Sequence, residues 1–314
     1  MSKPRLSSKS RRITAFALLA CVAASTVPTT RSATACVILG GGTTKVAGEE
    51  VLIAWDAASH TEHFVRHLSF RDASHDFGFL VPTPTRPELA EANDSIFTSL
   101  FDLYHRVMRS HAIPTNADGM RTAEASAVMP VQVLEHRQVA GLDATVLSAT
   151  DSQALAAWLN AHHYPSSPTL AQYLEPYVRQ HWTVTAFRFD PGAGNTAFGT
   201  RALRMTFHAD HPFFPYAEPT DAPTVPGRVF RISVISNERV EGREGSHVWT
   251  ARTAFAGRPS FSSLVSSLPA GALTGATWLT TFQEDNSRRG RDDLFFIRAA
   301  DQSTSASTID DHIQ

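Results

Sequence analysis

Histidine is the residue type with the widest chemical reach in this chain. All 14 histidines fall after residue 35, and two groups have spacings that suit a metal. His60, His63 and His67 lie close together with Glu62 between them, and His208 and His211 flank Ala209-Asp210 just before Pro212. A zinc or copper site needs three or four His, Cys or carboxylate ligands converging, with one position open if it is catalytic. On a helix, 60, 63 and 67 would align. The flanking alternation argues for a strand, where His63 and His67 share a face and His60 does not. The favoured reading is therefore a polar, solvent-facing side opposite Phe64 and Leu68. His208 and His211 offer two ligands and lack a third. The expectation is no cofactor, with zinc or copper held by these five histidines as the alternative.

Other chemistries find less support. The sequence contains no G-x-S-x-G elbow and no H-E-x-x-H pair, so the common hydrolase and zinc-protease signatures are missing. His162-His163 falls where a helix should end, and imidazoles there can meet the last carbonyls. The run His211-Pro-Phe-Phe-Pro-Tyr216 can line a groove or pack over a sheet. Packing is favoured, because large aromatic residues usually complete cores. No residue is assigned a catalytic role.

The elements that must position these residues are legible in part. Glu50–Asp56 is a short apolar run of the kind that forms a buried strand, and Thr61–Arg71 alternates with Phe64, Leu68 and Phe70 on one face. Asp76–Val81 reads as a third strand stopped by Pro82. Asn93 or Asp94 can cap a helix carrying Ile96, Leu100 and Tyr104 on one side, and residues 111–127 read as a loop. Val131–Val139 and Leu142–Ala149 read as a hairpin turning at Ala140-Gly141. Thr150 with Gln153 resembles a capping box, and Ser167-Pro168 a second helix start, with Pro176 kinking or restarting that helix. Strands return over 182–190, 201–207, 228–236, 245–251, 277–282 and 294–298. Strands, then helices, then strands is the order of an α+β protein with mostly antiparallel sheets and a central helical hairpin. Its body would span 36–300, with 150–181 as the point where two lobes would divide and 301–314 as a polar tail.

The first 35 residues differ from the rest. Met1–Arg12 is basic, Ile13–Ala24 is a short apolar run, and Ala33-Thr34-Ala35 has the small residues of a peptidase site. This is the three-part order of a secretory signal, cut after Ala35. The apolar run is too short for a comfortable membrane span. Leu18-Leu19-Ala20-Cys21 also resembles a lipobox, with acylation at Cys21 as the variant. Cutting after Ala35 leaves Cys36 first and as the sole cysteine, so no internal disulfide would staple the fold. The whole chain has 28 Lys and Arg against 30 Asp and Glu, net -2. Residues 1–35 hold six cations and no acid, so the remainder is -8. An anionic body is repelled by phosphate backbones, which excludes nucleic acid as a partner.

The strings VLIAWD, DFGFLVPTPTRPEL and QVAGLDATVLSATDSQALAAWLNAHHY, after an Ala-Cys start, resemble the bacterial domain-of-unknown-function family 2330. The likeness runs from about Cys36 to Val240. It implies an exported protein with no assigned activity. Similar members often carry another cysteine shortly after the first, and some a C-terminal membrane segment; this chain has neither. The expectation is a secreted, periplasmic or envelope protein, with lipidation at Cys21 as the alternative, that binds an extracytoplasmic partner or serves structurally and has no membrane span once the signal is removed. An exported metal-binding protein or metal-dependent hydrolase is the rival.

Overall fold

In the computed structural model, the described residues are 38–39, 45–71, 77–107, 130–164, 167–189, 197–222, 224–285 and 289–307. The expected leader, with Cys21, Ala35 and Cys36, lies outside them, as does the expected loop at 111–127.

Short β1 (Ile38–Leu39) precedes a long hairpin, β2 (Lys45–Asp56) with β3 (Thr61–Arg71), in which Ile53 faces Phe64 and Leu52 faces Val65. β4 (Phe77–Thr83) runs through Pro82 instead of stopping there. Among the described residues, β8 is the strand that pairs beside Pro82, and a missing N–H is tolerated where the other side of a strand has no partner. β5 (Glu88–Glu91) leads to α1 (Ser95–Val107). Asn93 accepts the Ser95 N–H at 2.9 Å, while Asp94 accepts the Ala202 N–H at 2.6 Å and ties the helix start to a distant strand end.

β6 (Val131–Val139) and β7 (Leu142–Ala149) form the expected hairpin. Ala140 and Gly141 have φ of 54° and 77°, as a two-residue turn of this hand requires. α2 (Ser152–Ala161) is capped by Asp151, whose carboxylate accepts the Ala154 N–H at 2.6 Å, so the cap lies one residue after the Thr150 of the expected capping box. α3 (Leu170–Arg179) starts later than Ser167-Pro168 and continues across Pro176. Its buried Leu170, Leu174, Tyr177 and Val178 hold the apolar face in place despite the lost hydrogen bond.

Eleven strands and one short 3-10 helix (Val265–Ser267) follow among the described residues: β8 (Thr183–Phe189), β9 (Ala197–Gly199), β10 (Leu203–His208), β11 (Phe213–Phe214), β12 (Val229–Ser236), β13 (Val240–Glu244), β14 (His247–Val248), β15 (Arg252–Gly257), β16 (Trp278–Glu284), β17 (Leu294–Arg298) and β18 (Ser305–Ala306). The strand expected over 245–251 is instead broken, because Gly245 takes φ 54° and turns β13 into β14.

These strands make three sheets: β1-β4-β8-β7-β6, then β18-β15-β16-β12-β2-β3-β10-β5 with β9 beside β3, and β11-β17-β13-β14. Pairing is antiparallel except between β12 and β2. The protein is thus α+β and rich in sheet, with sheets rather than a helical hairpin at its centre.

Alternation decides the layers. Val51, Ile53, Phe64, Leu68, Phe230, Ile232 and Met205 point from the nine-stranded sheet into one core, where they meet Phe79, Val81, Val146 and Phe187 of the five-stranded sheet. The opposite face of the five-stranded sheet gives Leu80, Leu147, Val184 and Ala186 to α2 and α3. The opposite face of the nine-stranded sheet gives Leu52, Ala54, Val65 and Ile235 to α1. Tyr104 of α1 reaches Ser233 at 2.5 Å, and Ser233 reaches Thr281 at 3.0 Å.

The main core also holds charge. Glu49 receives Arg66 at 2.7 Å and Arg289 at 2.6 Å, with all three side chains at most 1% exposed. Glu218 accepts from Arg228 at 2.5 Å and from the Arg289 backbone N–H at 3.0 Å. The Arg289 guanidinium lies 4.1 Å from the centre of the Phe230 ring. Burial works to lower its pKa, but the carboxylates of Glu49 and Glu218 more than offset this and the value is raised.

Candidate functional site

The histidines singled out by spacing do not assemble. His60 is exposed in the β2–β3 turn, with its ring edge-on to Trp55. His63 and His67 do share a face of β3, but that face is not open to solvent. α1 covers its middle, Val65 is fully buried, and His63 is 8% exposed. Its Nδ1 lies 3.1 Å from the Thr206 hydroxyl. Burial, helped by the Arg204 charge and opposed by Asp56, pushes the imidazole down to about 4. His67 lies opposite Glu50, beside Phe97. His208 is exposed with Nδ1 3.3 Å from Thr61 Oγ1, and His211 is exposed. Among the described residues, no three His, Cys, Asp or Glu side chains come together as a ligand set. Phe213, Phe214 and Tyr216 are buried in the core.

A different set does converge. Where α2 ends, the face of the five-stranded sheet beneath it is left open, and a cleft of about 270 Å³ forms over β6, β7 and β8. Its floor is Asp143 and Thr145 of β7, Arg188 of β8, and Val133 and His136 of β6. Trp158, His162 and Tyr164 from the end of α2 complete it.

Three local features put these groups there. The first is a β-bulge. Val133 pairs with Leu147 and His136 with Thr145, with the register shifting between Val133 and Glu135. Strict alternation would put Glu135 beside Val133; the extra residue turns His136 onto the cleft face instead. There His136 Nε2 meets Asp143 Oδ1 at 2.6 Å, and Arg188 Nη2 donates to Asp143 Oδ2 at 3.1 Å. The second is the helix end. His162 Nδ1 lies 2.7 Å from the Trp158 carbonyl, the capping contact its position suggests, and its ring stacks on the Trp158 indole at 3.7 Å. The third is Gly78, which pairs with Arg188 and lets the Tyr164 ring settle on the sheet. Burial first, then the Asp143 charge, raises the Tyr164 pKa, so the phenol keeps its proton.

A Cβ at Gly78 would lie 2.7 Å from the Phe187 carbonyl oxygen and 2.8 Å from Tyr164 Cδ1. Gly78→Ala should therefore cost about 1–3 kcal/mol of stability by overpacking, and should displace Tyr164. Urea unfolding reads the first effect and Tyr164 ring NMR shifts the second. An unchanged midpoint would show that the two strands part at no cost.

Among the described residues, no helix is long and apolar enough to cross a membrane. No curated protein matches the sequence. The crystal structure of baculovirus P35 is similar at 10% identity and a TM-score of 0.42, over 84% of this chain and 100% of that one. A caspase-8/P35 complex gives 8% identity and 0.34, over 82% and 94%. Likenesses of this size carry no argument about fold or activity. A family model described as an uncharacterised protein conserved in bacteria, DUF2330, matches residues 27–294, a span that includes every residue lining the cleft. The chain belongs to that bacterial family.

Proposed function

We propose that this is an exported bacterial protein that works by binding, with the cleft at the end of α2 as its ligand site. The observation that carries this reading is preorganisation. Asp143 is held by His136 and Arg188, and His162 is held by both its stack on Trp158 and its bond to the Trp158 carbonyl. Polar groups fixed beside an aromatic surface in one concavity are what a small-molecule site requires. Export is supported by the basic, then apolar, then Ala-x-Ala order of residues 1–35.

Two measurements test this. N-terminal sequencing and intact mass of protein recovered from growing cells should give a chain beginning at Cys36 outside the cytoplasm; a cytosolic chain beginning at Met1 would remove the export reading. Amide NMR with amino acids, sugars and nucleobases as probe classes should show one class shifting residues 143–145, 158–164 and 186–188. Asp143→Asn should weaken that class by about tenfold, roughly 1.4 kcal/mol. If every probe leaves those amides unmoved, the cleft is not the site. Stoichiometric zinc or copper lost on changing His208 and His211 to Ala would replace this reading with the metal-binding one.

A further inference from the structure

We infer that the cleft takes a neutral saccharide of one or two rings; this deepens, and rests on, the binding reading above. Size sets the first limit. A volume of about 270 Å³ lies just below the usual span of about 300–1,000 Å³ for small-molecule pockets, so the occupant is small.

Charge sets the second. Arg188 sits on Asp143 at 3.1 Å, so the cation and the carboxylate balance within the floor. A phosphate or carboxylate ligand would meet Asp143 inside a chain whose charge after residue 35 is -8. An ammonium ligand would meet Arg188. An uncharged ligand avoids both penalties.

Hydrogen-bonding capacity sets the third. The floor combines an acceptor-only group, Asp143, a donor-only fork, Arg188, and the buried Thr145 hydroxyl, which already bonds Tyr164 and keeps acceptor capacity. Each Asp143 oxygen has one donor from His136 or Arg188, and a carboxylate oxygen can accept a second bond. Adjacent sugar hydroxyls, each both donor and acceptor, match such a mixed and closely spaced set. The edge of a flat base offers fewer groups. The side of the cleft supplies what the sugar's C–H face needs: the Trp158 and His162 rings, stacked within 16° of parallel, with Tyr164 beside them. These rings are fixed before a ligand arrives, so little ordering cost is left for binding.

The test is a titration of the purified protein, followed by amide NMR, with glucose, galactose, N-acetylglucosamine, maltose and cellobiose. Glucuronate, glucosamine and adenine serve as the anionic, cationic and flat comparators. At least one neutral sugar should saturate, should shift amides at 143–145 and 158–164, and should bind about tenfold more tightly than glucuronate. Asp143→Asn and His136→Ala should each weaken it by about tenfold or more. His136 is 63% exposed, so its variant keeps the fold and remains informative if Asp143→Asn unfolds. Saturation by none of the neutral sugars overturns the saccharide assignment. Tighter binding of adenine at the same amides also overturns it while leaving the cleft as the binding site. A sugar that saturates but shifts only amides elsewhere overturns the cleft reading itself.

Discussion

Arg289→Met should destabilise the fold by about 3–5 kcal/mol, because it strips one partner from a buried ion cluster. Glu49 is fully buried and receives Arg289 at 2.6 Å as well as Arg66 at 2.7 Å. Without the guanidinium, the Glu49 carboxylate keeps one cation where it had two. The Glu218 carboxylate also loses the positive charge that its bond to the Arg289 backbone N–H had brought close. Methionine can fill most of the space beside Phe230, so the loss reports charge more than volume. Urea unfolding at neutral pH measures it. The double variant with Glu49→Leu should lose less than the sum of the two single variants, since each alone leaves a buried charge poorly paired. A loss under about 1 kcal/mol for Arg289→Met would mean that water reaches the cluster and the burial argument fails.

The second large effect depends on pH. Asp293 precedes β17 and sits half-buried beside α3, where its carboxylate accepts from the Ala217 N–H at 3.0 Å and the Tyr177 hydroxyl at 3.2 Å. Burial raises its pKa to about 6 from 3.8, against the opposing pull of those donors. A carboxyl whose pKa is raised on folding binds its proton more tightly in the native state. Its stabilising contribution is complete below the unfolded pKa and is lost as pH rises through the folded one. Between pH 4 and pH 7 the wild type should therefore lose about 2 kcal/mol through this group alone. Asp293→Asn can keep the acceptor without the charge and should not show that loss, so its stability relative to wild type should rise by about the same amount over the interval. Parallel unfolding curves for the two proteins at both pH values would show that Asp293 ionises freely in the native state.

The sequence by itself determined what depends on neighbours along the chain. Alternation placed Phe64 and Leu68 opposite His63 and His67, the Ala140-Gly141 pair marked a hairpin turn, and His162 marked a helix end. Each needs only a few consecutive residues, so period and turn chemistry reveal it. Tertiary structure decided which face is covered. His63 lies buried and not solvated, against Thr206 of β10 143 positions away, while α1 packs over Val65 in the middle of the same face. The cleft is not legible in the sequence for a related reason. A bulged residue turns His136 toward Asp143, and Gly78 admits Tyr164, 86 positions away. A bulge leaves no periodic mark of its own, and Arg289 meets Glu49 across 240 positions. Such contacts are set by how sheets stack and helices seat, and that is settled only when distant segments compete for the same apolar surface.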